Sequence, residues 1–402
     1  MADADVRAVT PVELDAWCDG EWMAWGYRQG AEWRRVLADC EVLGAFRDGH
    51  VVGGTAGIPF ALTVPEGELP VRGVASVWVS PAWRGRGFLR DLMDAQLQRF
   101  VEDEVAAAVL IASEPGIHRR FGFGVASLTA RVRIASSARP SLAEAEAGEI
   151  ELGQRDAGVR AAAEIYERVR PSIPGMLDRG DAWWDYSYPT AAVDDDEPTL
   201  FALHHGADGE HDGYAAYSVQ AGWSDEGRPD NTLRLHELVA ETPRAYGALW
   251  SYCLGLSLCG RVVAENRPVD EPLLHMLAAP EAMRLSVVDG LHVRILDVPA
   301  ALSARRYSAR GEVVLSVRDD AGGWAGGTWL VEGDPEAAAC TSTRRSPDLA
   351  LDAGALACVY LGGSSFDALH WAGLVEELRP GGIRRADELF SWPRAPWLPW
   401  DY

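Results

Sequence analysis

The sequence predicts a protein of α/β and α+β class that is built from more than one domain. Its 402 residues exceed the usual size of a single domain and favour two to three. An apolar run over 74–79, followed by a glycine-containing loop and then helical spacing, indicates a strand–loop–helix unit of the α/β kind. After His292 several strand patterns with flanking helices follow, which is typical of an α+β domain.

The first domain is expected over about 1–138, where helical and strand patterns alternate. Its predicted elements are a helix over 12–33, a hairpin of strands 41–46 and 50–59, the strand 74–79 with the helix after it, and a strand over 105–113. Apolar residues at helical spacing after the loop, Leu89, Met93 and Leu97, define the buried face of that helix.

Two further domains are expected at 150–291 and 292–402. An Ala-, Glu- and Ser-rich stretch over 140–148 predicts a linker before them. The second domain has a predicted helix over 161–170, a strand over 212–219 and an apolar helix over 245–258. The third has predicted strands over 293–299, 311–319 and 327–331, an apolar segment over 349–361 and a final helix near 368–378.

Composition and charge exclude several classes of partner. The formal net charge is −23, and every basic residue is an arginine. Such a protein repels nucleic acid and anionic membranes, and attracts polyamines and amino sugars. No apolar run reaches membrane-spanning length, and the acidic first residues lack the apolar core of a signal peptide, so a cytoplasmic location is expected.

The cysteines and histidines predict no metal site. The six cysteines lack C-x-x-C spacing, which favours reduced core cysteines over zinc ligands or disulfides. The histidines show no His-Glu-x-x-His pattern. His204, His205 and His211 lie in a Gly- and Asp-rich stretch that indicates a turn.

The loop Arg84-Gly85-Arg86-Gly87 predicts an anion-binding cradle. Backbone N–H groups and the positive end of a helix dipole converge on a phosphate at such a strand–helix junction. The two arginines add positive charge, and Gly85 and Gly87 allow the backbone to approach closely. A basic turn without a ligand is the alternative interpretation.

The spacing Arg84-x-x-Gly87-x-Leu89 resembles the pyrophosphate loop of GNAT acyltransferases, although Leu89 replaces the usual small residue. Over essentially its whole length, the chain resembles the Eis (enhanced intracellular survival) family of multi-acetylating aminoglycoside N-acetyltransferases. The stretches that carry this resemblance are 79–90, 112–124, 165–168, 213–217 and 294–302, with an aromatic residue at position 402. The resemblance implies two tandem GNAT-like domains followed by a sterol-carrier-protein-like domain, whose C-terminal tail enters the active site of a homohexamer.

The resemblance also implies the donor and its site. Acetyl-CoA would be the co-substrate, and no metal would be needed. The backbone of Val77 and Val79 would pair with the pantetheine arm, and Arg84, Gly85, Arg86, Gly87, Phe88 and Leu89 would hold the pyrophosphate. Ser113 would contact the pantetheine or the thioester, with a helix N-cap as its alternative role.

Two catalytic residues follow from the family pattern. His118 replaces the tyrosine taken as general acid, so a protonated His118 is expected to protonate the departing thiolate, with an acid-requiring limb of kcat above neutral pH. A spectator imidazole is the alternative. The main-chain carboxylate of Tyr402 would be the general base, unless the tail packs only for stability or for subunit contact.

The acceptor is expected to be a polycationic amine, in the first place an aminoglycoside. Trp33 matches an aromatic position of the family's acceptor site, and Trp22 and Trp25 are added to it. Glu114 and Asp401 are candidate partners of the ammonium groups. The alternatives are a protein-lysine or polyamine acetyltransferase, or a non-catalytic acyl-CoA or apolar-ligand binding protein.

Overall fold

The computed structural model describes residues 5–138, 149–189 and 197–402. The predicted linker at 140–148 lies outside these ranges. The described residues form two compact units, in which the chain crosses from the first to the second after Ser127 and returns at Leu291. Unit 1 comprises 5–127, 291–393 and Tyr402, and unit 2 comprises the described part of 128–290 together with 394–401. The predicted boundaries at 138, 150 and 291 stay a prediction.

The described secondary structure confirms most predicted elements of the first two domains. The strands are β1 (Asp5–Ala8), β2 (Glu41–Arg47), β3 (His50–Val64), β4 (Gly67–Val79), β5 (Ala107–Ile111), β6 (Gly124–Val125), β7 (Leu128–Ala135), β8 (Ile150–Gly153), β9 (Leu200–His205), β10 (His211–Gln220), β11 (Asn231–Ala240), β12 (Cys259–Arg267), β13 (Met283–Asp289), β14 (Leu291–Ile295), β15 (Gly311–Arg318), β16 (Gly327–Gly333), β17 (Ala338–Ser342), β18 (Leu349–Asp352) and β19 (Val375–Glu377). The helices are α1 (Leu14–Trp25), α2 (Ala31–Leu37), α3 (Phe88–Glu102), α4 (Pro115–His118), α5 (Arg155–Val169), α6 (Asp181–Ser187), α7 (Pro243–Gly255), α8 (Leu273–Met276), α9 (Val298–Ala304), α10 (Ala353–Tyr360), α11 (Phe366–Trp371) and α12 (Gly382–Phe390). Short 3₁₀ turns cover Pro81–Trp83, Arg119–Phe121, Arg170–Ser172 and Pro280–Ala282.

Within the described residues, unit 1 contains a seven-stranded sheet in the order β1-β2-β3-β4-β5-β14-β6. Strands β4 and β5 run parallel, and their pairing covers only Arg72 with Ala108 and Gly73 with Val109. Strand β4 continues to Val79, so the two strands separate beyond Gly73. This separation opens one end of the sheet.

Helix α3 confirms an amphipathic face that contains the predicted Met93 and Leu97, whereas the predicted Leu89 is only half-buried. Leu92, Met93, Leu97 and Phe100 are almost completely buried, and they recur at the three- and four-residue spacing that places side chains on one side of a helix. Because this face fixes the helix beside the sheet, it also fixes the position of the loop between β4 and α3.

The C-terminal part of unit 1 contains a sheet in the order β17-β16-β15-β18-β19 in the described chain. The predicted final helix near 368–378 is wrong. Helix α11 ends before Gly373, which adopts a left-handed φ of 75°, and β19 then pairs with β18. The last helix is α12, which begins after a second left-handed glycine, Gly381.

Unit 2 contains a sheet in the order β13-β7-β12-β11-β10-β9-β8 within its described residues. Strands β11 and β12 are parallel, as are β4 and β5 in unit 1. The tail 394–401 belongs to this unit, and Trp397 and Trp400 are both 5% exposed, which confirms the prediction of a buried aromatic tail. No helix in the described part of the chain is long and apolar enough to cross a membrane.

Candidate functional site

A cleft of about 1650 Å³ lies in unit 1 where β4 and β5 separate. Residues 74–79 of β4 form one wall, and the end of β5 with the residues after it forms another. The seven residues from Gly73 to Val79, which are six steps of strand rise, span about 20 Å. The cleft is therefore long enough for an extended ligand, and its volume exceeds that of a pocket for one small molecule.

A β-bulge shapes the wall formed by β4. The register between β3 and β4 shifts between Gly54 and Ala56, so that Ser76 and Val77 both stand opposite Thr55. Ser76 has a φ of 49°, which is strained for a residue other than glycine. Strain of this kind persists only where the surroundings enforce it, and here it lies in the wall of the cleft.

The loop from Ser80 to Gly87 forms the wide end of the cleft. Gly85 and Gly87 adopt left-handed φ values of 75° and 100°, and no described atom lies within 4 Å of the position that a Cβ would take at either glycine. Gly87 precedes α3 directly, and no side chain among the described residues caps this helix start. Its first N–H groups are therefore available to an anion, which fits the diphosphate of a coenzyme A.

Neighbouring groups position the two loop arginines. The Arg84 Nε donates a hydrogen bond to the Val79 carbonyl at 3.3 Å. The Arg86 guanidinium lies 4.6 Å from the centre of the Trp83 ring. All of the predicted cofactor residues line the cleft: Val77, Val79, Arg84, Gly85, Arg86, Gly87, Phe88, Leu89 and Ser113. Phe88 is buried, so its backbone rather than its ring is suited to bind a ligand.

Tyr402 lies at the narrow end of the cleft. Its ring packs edge-on against Phe60 of β3 at 5.0 Å between centres. A Cβ on Gly73 would come within 2.7 Å of the Phe60 ring and 3.0 Å of the Tyr402 ring, so only glycine fits there without displacing these rings. Because Gly73 is the last β4 residue paired with β5, the ring lies at the apex of the separation. Burial raises the pKa of the Tyr402 hydroxyl well above its usual value, which keeps the phenol protonated.

His118 also lines the cleft, at the end of α4. Burial lowers its pKa to about 4, and the neighbouring His292 lowers it further in the same direction. Its ring contacts Phe123 edge-on at 6.0 Å, and its Nδ1 has no hydrogen-bond partner in the described part of the chain. Burial therefore disfavours the protonated form of His118 at neutral pH. Its role as general acid stays a prediction.

Three residues predicted near the thioester and the acceptor line the cleft: Trp25, Ser113 and Glu114. Trp25 packs against Tyr27 at 5.7 Å, and Tyr27 lines the cleft as well. Ser113 is not a helix N-cap, since Glu114 holds that position before α4. Ser113 and Glu114 are both exposed, so both are open to a ligand.

The other three predicted acceptor residues are absent from the described residues that line the cleft. Trp33 is 3% exposed, so it is a core residue. Trp22 stacks with the Arg28 guanidinium at 4.0 Å. Asp401 belongs to unit 2, where its carboxyl accepts a hydrogen bond from Asn266 at 3.1 Å.

Two features of unit 1 were not predicted from the sequence. Glu21 of α1 is 2% exposed, and burial raises its pKa to about 7, although the Ser76 and Trp33 side chains beside it counter part of the effect. A carboxyl that changes charge near neutral pH thus lies behind the bulge of β4.

The second feature is the loop 320–324, which leads from β15 to β16 and contributes Asp320 and Trp324 to the cleft. In the sequence, the adjacent glycines 322 and 323 indicate a turn here and nothing about a ligand.

Comparison with known families confirms the predicted fold class. Residues 5–126 and 175–295 each match an acetyltransferase (GNAT) domain family, and residues 298–399 match a sterol carrier protein domain family. The GNAT domains imply acetyl-CoA as the donor, in agreement with the anion-binding loop described above.

Similarity to individual proteins extends over nearly the whole chain. An N-acetyltransferase of Streptomyces avermitilis is 36% identical over 98% of both chains. The N-acetyltransferase Eis of Mycobacterium tuberculosis is 34% identical over 91% of this chain and 90% of its own. The crystal structure of Eis1 from Mycobacterium abscessus superimposes with a TM-score of 0.88 at 30% identity, covering 100% of both chains. On these matches the chain is an acetyltransferase that belongs to the Eis family of GNAT N-acetyltransferases.

Proposed function

We propose that the protein transfers the acetyl group of acetyl-CoA directly to an amine of a polycationic small molecule, in the first place an aminoglycoside, within a ternary complex. The cleft of unit 1 carries this proposal, because it has a basic glycine loop at its wide end and Tyr402 at its apex. A thioester is already activated. The residues therefore need only to position the amine and the thioester and to move a proton.

The donor binds along β4. The N–H groups of the loop and of the α3 start hold the diphosphate, and Arg84 and Arg86 neutralise its charge. Beyond Gly73, the β4 backbone groups on the side of β5 have no ladder partner in the described sheet. They are therefore free to pair with the amides of the pantetheine arm at Val77 and Val79, as in strand addition.

The main-chain carboxylate of Tyr402 accepts the proton of the attacking ammonium group, directly or through one water. Its weak basicity makes position more important than proton affinity. The amine then attacks the thioester, the C–N bond forms and the C–S bond breaks. The nitrogen gives its second proton to water, and the departing thiolate takes one proton from water. His118 orients the thioester end as a neutral imidazole, because its lowered pKa leaves no second proton to donate at pH 7.

The acceptor binds between aromatic and acidic side chains. Trp25 and Tyr27 offer ring faces to a cation, and Glu114 and Asp320 offer carboxylates. The formal net charge of −23 favours the approach of a cationic substrate over an anionic one.

Release of coenzyme A thiol from acetyl-CoA tests the acceptor class. The panel consists of aminoglycosides, polyamines and lysine peptides, each assayed with its acetylated product identified by mass spectrometry. The proposal expects the highest kcat/KM with an aminoglycoside. A preference for polyamines or for lysine peptides would assign one of the alternative acceptors, and acetyl-CoA binding without any turnover would favour a non-catalytic binding protein.

A pair of variants tests the role assigned to Tyr402. Two glycines added after Tyr402 move the carboxylate and keep the ring, whereas Tyr402→Phe keeps the carboxylate and removes the hydroxyl. The extension should reduce kcat more than 100-fold with acetyl-CoA binding intact, and Tyr402→Phe should stay within about threefold of the wild type. Equal kcat values for the two variants would contradict a carboxylate base.

A hexameric assembly is part of the same proposal. Trp371 and Trp223 are 84% and 72% exposed, and tryptophans exposed to this extent favour burial against another chain. Light scattering should give six times the chain mass of 43.6 kDa. A monomer mass at micromolar concentration would contradict it.

A further inference from the structure

Among the described residues, one imidazole–carboxylate cluster lies outside the cleft, on three neighbouring strands of unit 2. Glu151 is on the edge strand β8, His205 ends β9, and His211 begins β10. His205 and His211 are direct cross-strand partners, and their rings lie 4.4 Å apart. The cluster is half-exposed, with 54% of the Glu151 side chain and 29% and 27% of the two histidine side chains accessible.

The three side chains converge on one point. The Glu151 Oε2 lies 2.9 Å from the His205 Nε2 and 3.2 Å from the His211 Nε2. The three ligand atoms all lie within 4.8 Å of one another. Tetrahedral zinc with bonds of about 2.0–2.1 Å separates its ligand atoms by about 3.3 Å, so two of the three separations are already close to those of a zinc site. The third separation is that between the two histidine Nε2 atoms, and a small rotation of the partly exposed rings shortens it to the same length.

A backbone contact orients one of the imidazoles. The His205 Nδ1 lies 3.2 Å from the Gly209 carbonyl, a group that can only accept a hydrogen bond, so this nitrogen carries a proton. The His205 Nε2 lies 2.9 Å from a carboxylate oxygen, which also can only accept, so in the metal-free chain this nitrogen donates its N–H to Glu151. An ion that binds here displaces that proton, while the Nδ1–H keeps its bond to the carbonyl, as in metal sites whose histidines donate their other N–H to a carbonyl. The hairpin turn that supplies the carbonyl is itself held by bonds from Gly206 N–H to Glu210 and from Gly209 N–H to Gly206.

We propose that Glu151, His205 and His211 form a binding site for Zn²⁺ or a similar divalent transition-metal ion, with one coordination position open to water. Two imidazoles and one carboxylate suit zinc, nickel and copper rather than magnesium or calcium, which prefer oxygen ligands. The bound ion ties the edge strand β8 to the hairpin of β9 and β10.

Calorimetric titration of the metal-free full chain with Zn²⁺ tests this site, with Mg²⁺ as the comparison ion. The wild type should bind one Zn²⁺ per chain. His205→Ala, His211→Ala and Glu151→Gln should each weaken this binding at least tenfold. His275→Ala is the matched control, because this exposed histidine of unit 2 lies outside the cluster, and it should bind as the wild type does.

Two results would overturn the proposal. An absence of Zn²⁺ binding up to millimolar concentration would leave the cluster as a histidine–carboxylate hydrogen-bond network. Binding that survives in all three variants would locate the ion elsewhere, for instance at the partly accessible thiols of Cys18, Cys40 and Cys358. A crystal soaked in zinc should show one anomalous peak between the three side chains, and circular dichroism should show that each variant keeps the wild-type fold.

Discussion

The two GNAT-type sheets share a topology, but their strand-to-helix connections differ. One leaves the backbone N–H groups of the helix start uncapped, and the other caps the helix with a side chain. Both have a parallel central strand pair, and both have a bulge in the first strand of that pair, at Ser76 in β4 and at His236 in β11. In unit 1 a loop with two left-handed glycines leads from β4 to α3, whose start has no side-chain cap among the described residues. In unit 2 the connection from β11 to α7 is Glu241-Thr242, and the Thr242 side chain accepts the Ala245 N–H.

The two sheets also differ in the space beyond the paired residues of their parallel strands. In unit 1 the space beyond the pairing of β4 with β5 is the open cleft. In unit 2 the Arg267 guanidinium crosses from β12 to the Leu238 carbonyl of β11 at 2.9 Å, and the Trp397 ring lies 5.1 Å from this guanidinium. The cap of α7 satisfies the Ala245 N–H, Pro243 has no N–H to offer, and the Arg267 side chain occupies the gap, so unit 2 offers a diphosphate fewer N–H donors and less space. The same sheet therefore opens a ligand cleft in one copy and is filled by side chains in the other.

The largest expected effect comes from breaking the packing of unit 2. The Glu237 carboxylate accepts hydrogen bonds from Arg179, Tyr188 and Tyr214 at 2.8–2.9 Å, and it is 2% exposed. Glu237→Gln leaves a buried guanidinium without a counter-charge and should lower the free energy of unfolding by about 3–5 kcal/mol. Chemical denaturation measures this loss, and acetyl-CoA affinity should stay unchanged in the folded protein.

An exposed ion pair provides the control for this variant. Glu312 pairs with both terminal nitrogens of Arg345, and the side chains are 50% and 45% exposed. Glu312→Gln should cost less than about 1 kcal/mol, because water screens an exposed pair. Equal losses in the two variants would show that Glu237 does not act through its buried charge.

The next effect concerns the glycine loop itself. Gly85 and Gly227 have φ values of 75° and 69°, and no described atom lies within 4 Å of a Cβ at either position. Gly85→Ala and Gly227→Ala should therefore lose similar stability, about 1 kcal/mol each, from the left-handed backbone. Gly85→Ala alone should also weaken acetyl-CoA binding about tenfold in a calorimetric titration, because its N–H groups no longer converge on the diphosphate. The same acetyl-CoA affinity in both variants would remove the loop from the donor site.

A smaller effect is expected at the capped helix of unit 2. Thr242→Ala removes the acceptor of the Ala245 N–H and should cost about 1 kcal/mol of unfolding free energy. Thr242→Ser keeps a hydroxyl and should recover most of the loss. Acetyl-CoA affinity should be unchanged in both variants, and a weaker affinity in Thr242→Ala would mean that the capped helix start takes part in binding.

The loop and helix of the donor site could be predicted from the sequence because local patterns encode them. The apolar spacing of α3 and the glycines at 85 and 87 act over a few residues: the spacing is that of a helix, and glycines between a strand and a helix indicate a turn. The pairing of β14 with β5 could not be predicted, because it joins Leu291 to Ile111 across a long stretch of sequence. The turn at Gly373 was also missed, since an apolar run there resembles a continuing helix.

The side-chain environments of the site were the least predictable part. Trp33 and Trp25 are the same residue type in one aromatic cluster, yet one is buried and the other lines the cleft. The chemistry of His118 depends on its burial and on His292, which is distant in sequence. The burial of each side chain sets whether a tryptophan lines the cleft and how far the pKa of His118 shifts. Local sequence patterns do not encode this burial.

The smallest effect concerns how the two units bury ionisable groups. Unit 2 buries the charged pair of Arg179 with Glu237, and unit 1 buries the pair of Arg294 with Asp319. In contrast, the buried Glu21 and the half-buried His118 of unit 1 have no oppositely charged partner among the described residues. Glu21 has a pKa raised from 4.5 to about 7, so the folded state retains a proton that the unfolded state loses, and stability falls as pH rises from about 4.5 to 7. His118 has a pKa lowered from 6.5 to about 4, so its contribution is complete above pH 6.5 and is lost as pH falls towards 4.

The two slopes oppose each other over the same range of pH. Denaturant unfolding between pH 4.5 and 7 should therefore change less with pH in the wild type than in either single variant. Glu21→Gln leaves the His118 slope, so its stability should rise with pH, whereas His118→Gln leaves the Glu21 slope and its stability should fall with pH. Each slope is limited to about 1.4 kcal/mol per pH unit, since a single proton is involved. Parallel profiles for the two variants would mean that these groups are not buried without an opposite charge, and the contrast with the paired charges of unit 2 would then fail.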